Sequence, residues 1–237
     1  MFLLTERILK IICAVFLVAA ICLLPLEKKG YAAECLTDYP LLDFVIVLDA
    51  GHGGEDGGAI GITTLAREKD INLSIVKKAK NLFESAGATV VLTRSDENAL
   101  CKGKYSKKED MHARSSIIEK TKPYIVISVH CNSFPQSRNA KGAQMFYFPG
   151  SESGEKLAQC IQNSIKDIAD SSNNRQVKSE NFFMLRHGNS TNVMIECGFL
   201  SSPEEEKKLL DEDYQALLAY SVFDGTSKYL ASLRKTD

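Results

Sequence analysis

In this 237-residue chain, the residues able to do chemistry are four histidines and two conspicuously placed glutamates. His52 lies in LDAGHGGEDGG, directly after the apolar run FVIVL (44–48). His130 closes the run YIVISVH (124–130), ahead of Cys131-Asn132-Ser133. If both runs are parallel strands, both imidazoles project from the carboxyl edge of one sheet, where ligand sites of α/β folds form. Glu196 falls inside the apolar run VMIECGF, where a carboxylate is costly to bury unless it is paired or metal-bound. Glu68, in LAREKDINL, stands at the entrance to a predicted helix, where a carboxylate is favourable without any further role. Two imidazoles, one carboxylate and an open water position make a catalytic zinc site. A second, unligated glutamate then serves as general base toward that water. His112 and His187 have no such placement and read as surface or helix-packing residues.

Other chemistries fit less well. GHGGEDGG departs from G-x-G-x-x-G because Asp56 occupies the third glycine position, and it lacks the G-K-[ST] ending of a phosphate loop. Glu55 and Asp56 would also repel a pyrophosphate. Glycines that admit a metal or a substrate backbone suit the string better. A thiol hydrolase would pair Cys131 or Cys197 with His130. Adjacent strand residues point to opposite faces, so Cys131 and His130 cannot easily share a proton, and Cys197, beside Glu196, is the better thiol candidate. Of seven cysteines, Cys13 and Cys22 lie in an N-terminal apolar segment. Cys35, Cys101, Cys131, Cys160 and Cys197 are an odd, scattered set without C-x-x-C, which is no disulfide framework. Unpaired thiols in an exported chain suit a reducing or anaerobic setting.

The elements that must position these residues alternate in type. After FVIVL, residues 70–86 place Ile71, Ile75, Ala79, Leu82, Phe83 and Ala86 at helical spacing, with Gly87 as the stop. ATVVLT (88–93) predicts a strand, 109–121 a helix, YIVISVH a strand, AQMFYF (143–148) a strand and 154–169 a helix. FFML (182–185) and NVMIEC (192–197) read as short strands. Ser202-Pro203-Glu204-Glu205 reads as N-cap, first-turn proline and capping-box glutamate, and a last helix covers 213–232. The expected fold is a three-layer α/β/α sandwich around a mostly parallel twisted sheet of about six strands.

Residues 8–26 read ILKIICAVFLVAAICLLPL, with an uninterrupted apolar core from Ile11 to Leu24. That is short of the roughly 20 residues of a bilayer-spanning helix and long enough for a signal peptide. Residues 1–30 are therefore expected to be a cleaved signal or a short anchor, 31–42 a linker and 43–235 the catalytic domain. The chain would be exported, touching the membrane only through its N-terminus. With 29 basic and 30 acidic residues, it carries no cationic footprint for nucleic acid.

VIVLDAGHGGEDGGAIG, EKDINL, GATVVLTRSD, ISVHCNS, GAQMFYF and VMIECGFLSSPEE together resemble the zinc-dependent N-acetylmuramoyl-L-alanine amidases of the Amidase_3 group, in order across residues 44–233. The resemblance implies one zinc ion bound by His52, Glu68 and His130, with Glu196 as the catalytic carboxylate. The implied reaction is hydrolysis of the amide between N-acetylmuramic acid and L-alanine in peptidoglycan. Asn132 and Arg186 are candidate substrate contacts. A hydrophobic N-terminus before a single catalytic domain resembles the sporulation-type branch, whose members strip peptide stems so that a deacetylase can form muramic-δ-lactam in spore cortex. A regulatory protein is a further implied partner. The alternatives are a cysteine-dependent wall hydrolase using Cys197 and a non-catalytic wall-binding relative. Cys131, Asn192 and Ser202 stand where the family often has Ala, Pro and Asn. The loop at 95–108 looks too short for the inhibitory helix of some cell-division amidases.

Overall fold

Strands covered by helices on both faces must be apolar along their whole length. The computed structural model of the chain describes residues 41–101 and 103–234. The expected signal or anchor, most of the linker and Cys35 lie outside the described residues. Strands β1 (Val45–Ala50), β2 (Thr89–Leu92), β3 (Ile125–Asn132), β4 (Gln144–Tyr147), β5 (Lys178–Ser179) and β6 (Thr191–Phe199) form one sheet, ordered β2-β1-β3-β6-β4-β5. Every pairing is parallel except β4 with β6. Helices α1 (Glu68–Ser85), α3 (Glu152–Ser164) and α5 (Glu212–Arg234) pack together on one face. The opposite face carries α2 (Lys107–Thr121) and a 3₁₀ turn, Phe183–Arg186; the short α4 (Pro203–Leu209) follows β6. This is the expected mostly parallel α/β architecture.

Alternation within the strands sorts the two faces. Ile46, Leu48, Ile125, Ile127, Val129, Val193 and Ile195 are buried toward α1, α3 and α5. Val47, Val126 and Met184 pack with Ile118 of α2 on the other face. Along α1, Ile71, Ile75, Val76, Ala79 and Phe83 supply the buried stripe, and Gly87 at φ 93° turns the chain into β2. The bends at 95–101 lead into α2 without any helix among the described residues of that loop.

Three local expectations need correction. FFML is no strand. Phe183–Arg186 is a 3₁₀ turn that points Met184 and Leu185 into the core. The sixth strand is instead the two-residue edge β5, too short and too polar to announce itself. At α4, proline occupies the first turn as expected, but Ser202 makes no side-chain cap. The Glu205 carboxylate accepts from the Gly142 N–H at 2.8 Å, so a tertiary partner replaces the capping box. The 154–169 helix is α3 followed by a π turn, Ile165–Ala169, which keeps Ile165 buried.

Candidate metal centre

The β1 strand ends by delivering His52 in a left-handed conformation, φ 64°, between Gly51 and Gly53. A side chain at Gly51 would run into the His130 ring, its Cβ clashing with Cε1. Gly58, at φ 68°, lies close against Glu68, its added Cβ 2.5 Å from Oε2. Gly51 and Gly58 therefore serve close packing around the polar centre, whereas Gly53 and Gly54 lie against Asn98 and Ala99.

His52 Nε2 lies 3.1 Å from Glu68 Oε1, and His130 Nδ1 lies 2.9 Å from the same oxygen. The imidazoles meet edge to face with centroids 5.0 Å apart. One ligand atom from each of His52, Glu68 and His130 falls within 4.8 Å of the others, a grouping able to hold a metal ion. Glu68 opens α1, and its carboxylate is fixed by the N–H groups of Ala59 (2.8 Å) and Cys131 (3.0 Å) and by Asn72 Nδ2 (3.2 Å). Burial works against its charge, but the hydrogen bonds and charges of His130 and His52 hold its pKa far below the usual carboxylate range.

Glu196 sits beside His130, with which it is in register across β3 and β6. In-register neighbours share a sheet face, so its carboxyl group points the same way as the imidazole. Its Oε2 is buried without a hydrogen-bond partner. Burial pushes its pKa up to about 7, with the charge of Glu68 adding and those of the imidazoles opposing. A poorly satisfied buried carboxylate beside three clustered ligand groups is the feature that the apolar run VMIECGF foretold.

Sequence reasoning missed the supporting shell. Asp56 Oδ2 accepts from His52 Nδ1 at 2.9 Å and from the Tyr105 hydroxyl at 2.9 Å, which leaves Nε2 free to face Glu68. Burial opposes a charged His52, yet Glu68 and Asp56 together raise its pKa. Behind the loop, Arg94 donates to the carbonyls of Ala50 (2.8 Å) and Gly51 (2.9 Å), and Arg114 to those of Ala50 (2.7 Å) and His52 (2.5 Å). Asp49 is fully buried; despite the cost of burial, the Arg114 guanidinium lowers its pKa to about 2, helped by Ser128 and Thr93. An aspartate in an apolar strand, like the Asp49 of FVIVLDA, was the available signal.

The remaining candidates separate. Asn132 follows His130 on the same face and lines a groove beside the centre. Arg186 is exposed, with its guanidinium 5.7 Å from the Phe183 ring, and does not line the cleft that holds His52, His130 and Glu196. Cys131 and Cys197 are buried on the face opposite His130, where burial raises the Cys131 thiol pKa well above its ordinary value. Asn192, an atypical residue for this position, joins β6 to the 3₁₀ turn through the carbonyls of His187 (2.7 Å) and Met184 (3.4 Å). His112 and His187 both pack on Phe183.

The N-acetylmuramoyl-L-alanine amidase family model matches residues 46–228. The chain belongs to that family. It is 33% identical over 196 residues to the germination-specific N-acetylmuramoyl-L-alanine amidase of Bacillus subtilis, covering 80% of this chain and 81% of the relative. The solved structure of the CwlD amidase from Clostridioides difficile, in complex with the GerS lipoprotein, superposes with a TM-score of 0.77 at 38% identity, covering 80% of this chain and all of that one (100%). An N-acetylmuramoyl-L-alanine amidase from Clostridium difficile 630 gives 0.72 at 31% identity, over 80% and 97%. The protein is thus a hydrolase of the muramoyl–alanine amide of peptidoglycan, a substrate outside the cytoplasm.

Proposed function

We propose that this amidase holds one zinc ion through His52, Glu68 and His130, and that Glu196 is its catalytic acid and base. The donor set fits the metal: two imidazoles and one carboxylate converge within 4.8 Å, and Asp56 orients the first imidazole. When bound, zinc supplies a Lewis acid that polarises a carbonyl and makes water more acidic. Glu196 then takes a proton from the attacking water as the new C–O bond forms at the lactyl carbonyl. It returns that proton to the alanine nitrogen as the C–N bond breaks, leaving a muramic carboxylate and a free peptide amine. The single observation carrying this reading is the partnerless Glu196 Oε2, buried beside the three ligand groups.

The proposed biological setting is spore cortex maturation, with a peptidoglycan deacetylase acting on the stripped muramic acid. Likeness to a germination-specific amidase and to CwlD supports that setting. The complex of that CwlD with a lipoprotein supports a regulatory partner of similar kind here. The hydrophobic N-terminus would export the chain, as a signal or an anchor. Glu196→Gln is expected to keep zinc and fold while lowering turnover about 10²- to 10⁴-fold. Metal analysis, circular dichroism and mass spectrometry of muropeptide products check it together, and full activity in that variant refutes the role.

A further inference from the structure

Two concavities flank Glu196, and their charges differ. The cleft that contains His52, His130 and Glu196 is also lined by Asp49, Asp56 and Asp110, so carboxylates outnumber its cations Lys107 and Arg114. The second groove runs over the ends of β3, β6 and β4. It is lined by Asn132, Phe134, Gln144, Arg175, Lys178 and Phe199 among others, and none of its lining residues is acidic. Gln144 is directly opposite Glu196 across the antiparallel β4–β6 pair, so the groove begins where the reacting carboxylate sits.

We infer that this groove is the subsite for the anionic peptide stem, with Arg175 and Lys178 recognising stem carboxylates. The inference rests on the amidase reading of the centre. A bond cleaved at Glu196 has sugar on one side and peptide on the other, so the two arms leave in different directions. The stem carries free carboxylates, which the cationic groove attracts. Arg175 is held in place from two sides: its Nε donates to the Lys141 carbonyl at 2.9 Å, and its guanidinium lies 4.7 Å from the Phe199 ring centre. Its terminal nitrogens make no hydrogen bond among the described residues, which leaves a planar fork for a carboxylate. Lys178 shares a 2.7 Å contact with Glu180, yet its side chain remains 60% exposed. Phe134, 49% exposed at the rim, offers an apolar wall for the stem's alkyl groups.

The test compares N-acetylmuramoyl peptides whose stem carboxylates are free or converted to amides, using the full-length zinc-loaded enzyme. Wild type should favour the free-acid substrate in kcat/KM, and added salt should erode that preference. Lys178→Ala and Arg175→Gln should each shrink the preference about three- to tenfold, and Lys178→Glu should shrink it further. Equal use of both substrates by wild type, or an unchanged ratio in both variants, overturns the inference. Calorimetric titration of the free stem tripeptide reads the groove without hydrolysis. Tripeptide binding weakened by both substitutions, with no muropeptide cleaved, would uphold the groove and sink the zinc–Glu196 mechanism instead.

Discussion

At the scale of single residues, the centre concentrates opposite electrostatic demands on neighbouring carboxylates. Glu68 is ionised because imidazoles and N–H donors converge on it, whereas Glu196 is left with a bare buried oxygen. Metal-free folded protein therefore retains the Glu196 proton between the ordinary value of 4.5 and about 7, where an unfolded chain releases it. The stability this residue contributes is complete below the unfolded value and is lost as pH rises through about 7. Glu196→Gln should thus leave metal-free stability nearly unchanged near pH 4 and raise it at pH 8 by about 3 kcal/mol, read from urea unfolding at both pH values. Asp56 acts through His52 rather than on substrate. Asp56→Asn is expected to weaken zinc affinity about 10- to 100-fold, measured by competition with a chromophoric chelator, with the fold intact.

At the scale of elements, the site is a strand-end loop clamped from behind. Arg94 and Arg114 satisfy the carbonyls of Ala50, Gly51 and His52, which leave the sheet ladder where β1 turns into the glycine-rich loop. Arg114 also meets Asp49 and Asp110, each at 2.7 Å, in a buried network. Removing one member strands a buried charge, so Arg114→Met should cost about 3 to 5 kcal/mol. Adding Asp49→Asn should recover part of that loss. Thermal denaturation of the single and double variants decides it: equal losses in both would mean that packing, not the stranded carboxylate, dominates. Asp49 keeps the native state ionised above the unfolded value of 3.8, and that contribution disappears as pH falls through about 2.

At the scale of the whole molecule, the sheet separates metal-binding chemistry from thiol chemistry. His130 and Glu196 line the cleft, while Cys131 and Cys197 are buried on the opposite face of the sheet. Chelator should abolish activity and added zinc restore it, whereas iodoacetamide should leave native enzyme active because neither buried thiol reaches solvent. Inactivation by iodoacetamide alone would revive the cysteine reading. The order β2-β1-β3-β6-β4-β5 puts β3 beside both β1 and β6, which brings three distant stretches of chain to one edge.

What the sequence determined by itself was chemistry and class. Histidines after apolar runs, a glutamate inside one, and alternating strand and helix periods each follow from local rules of burial and spacing. FFML, Glu205 and β5 were beyond such rules. An aromatic-rich tetrapeptide suits a strand or a buried 3₁₀ turn equally, and only packing against Val126 and Ile118 decided between them. Glu205 was placed to close a capping box on Ser202, but the Gly142 N–H, 63 residues away, reaches its carboxylate instead. Whereas Asp56 reaches His52 from only four residues away, Tyr105, Arg94 and Arg114 entered the site for the same reason. Their hydrogen bonds close over long separations in sequence, and a long-range partner exists only after the chain has folded around it.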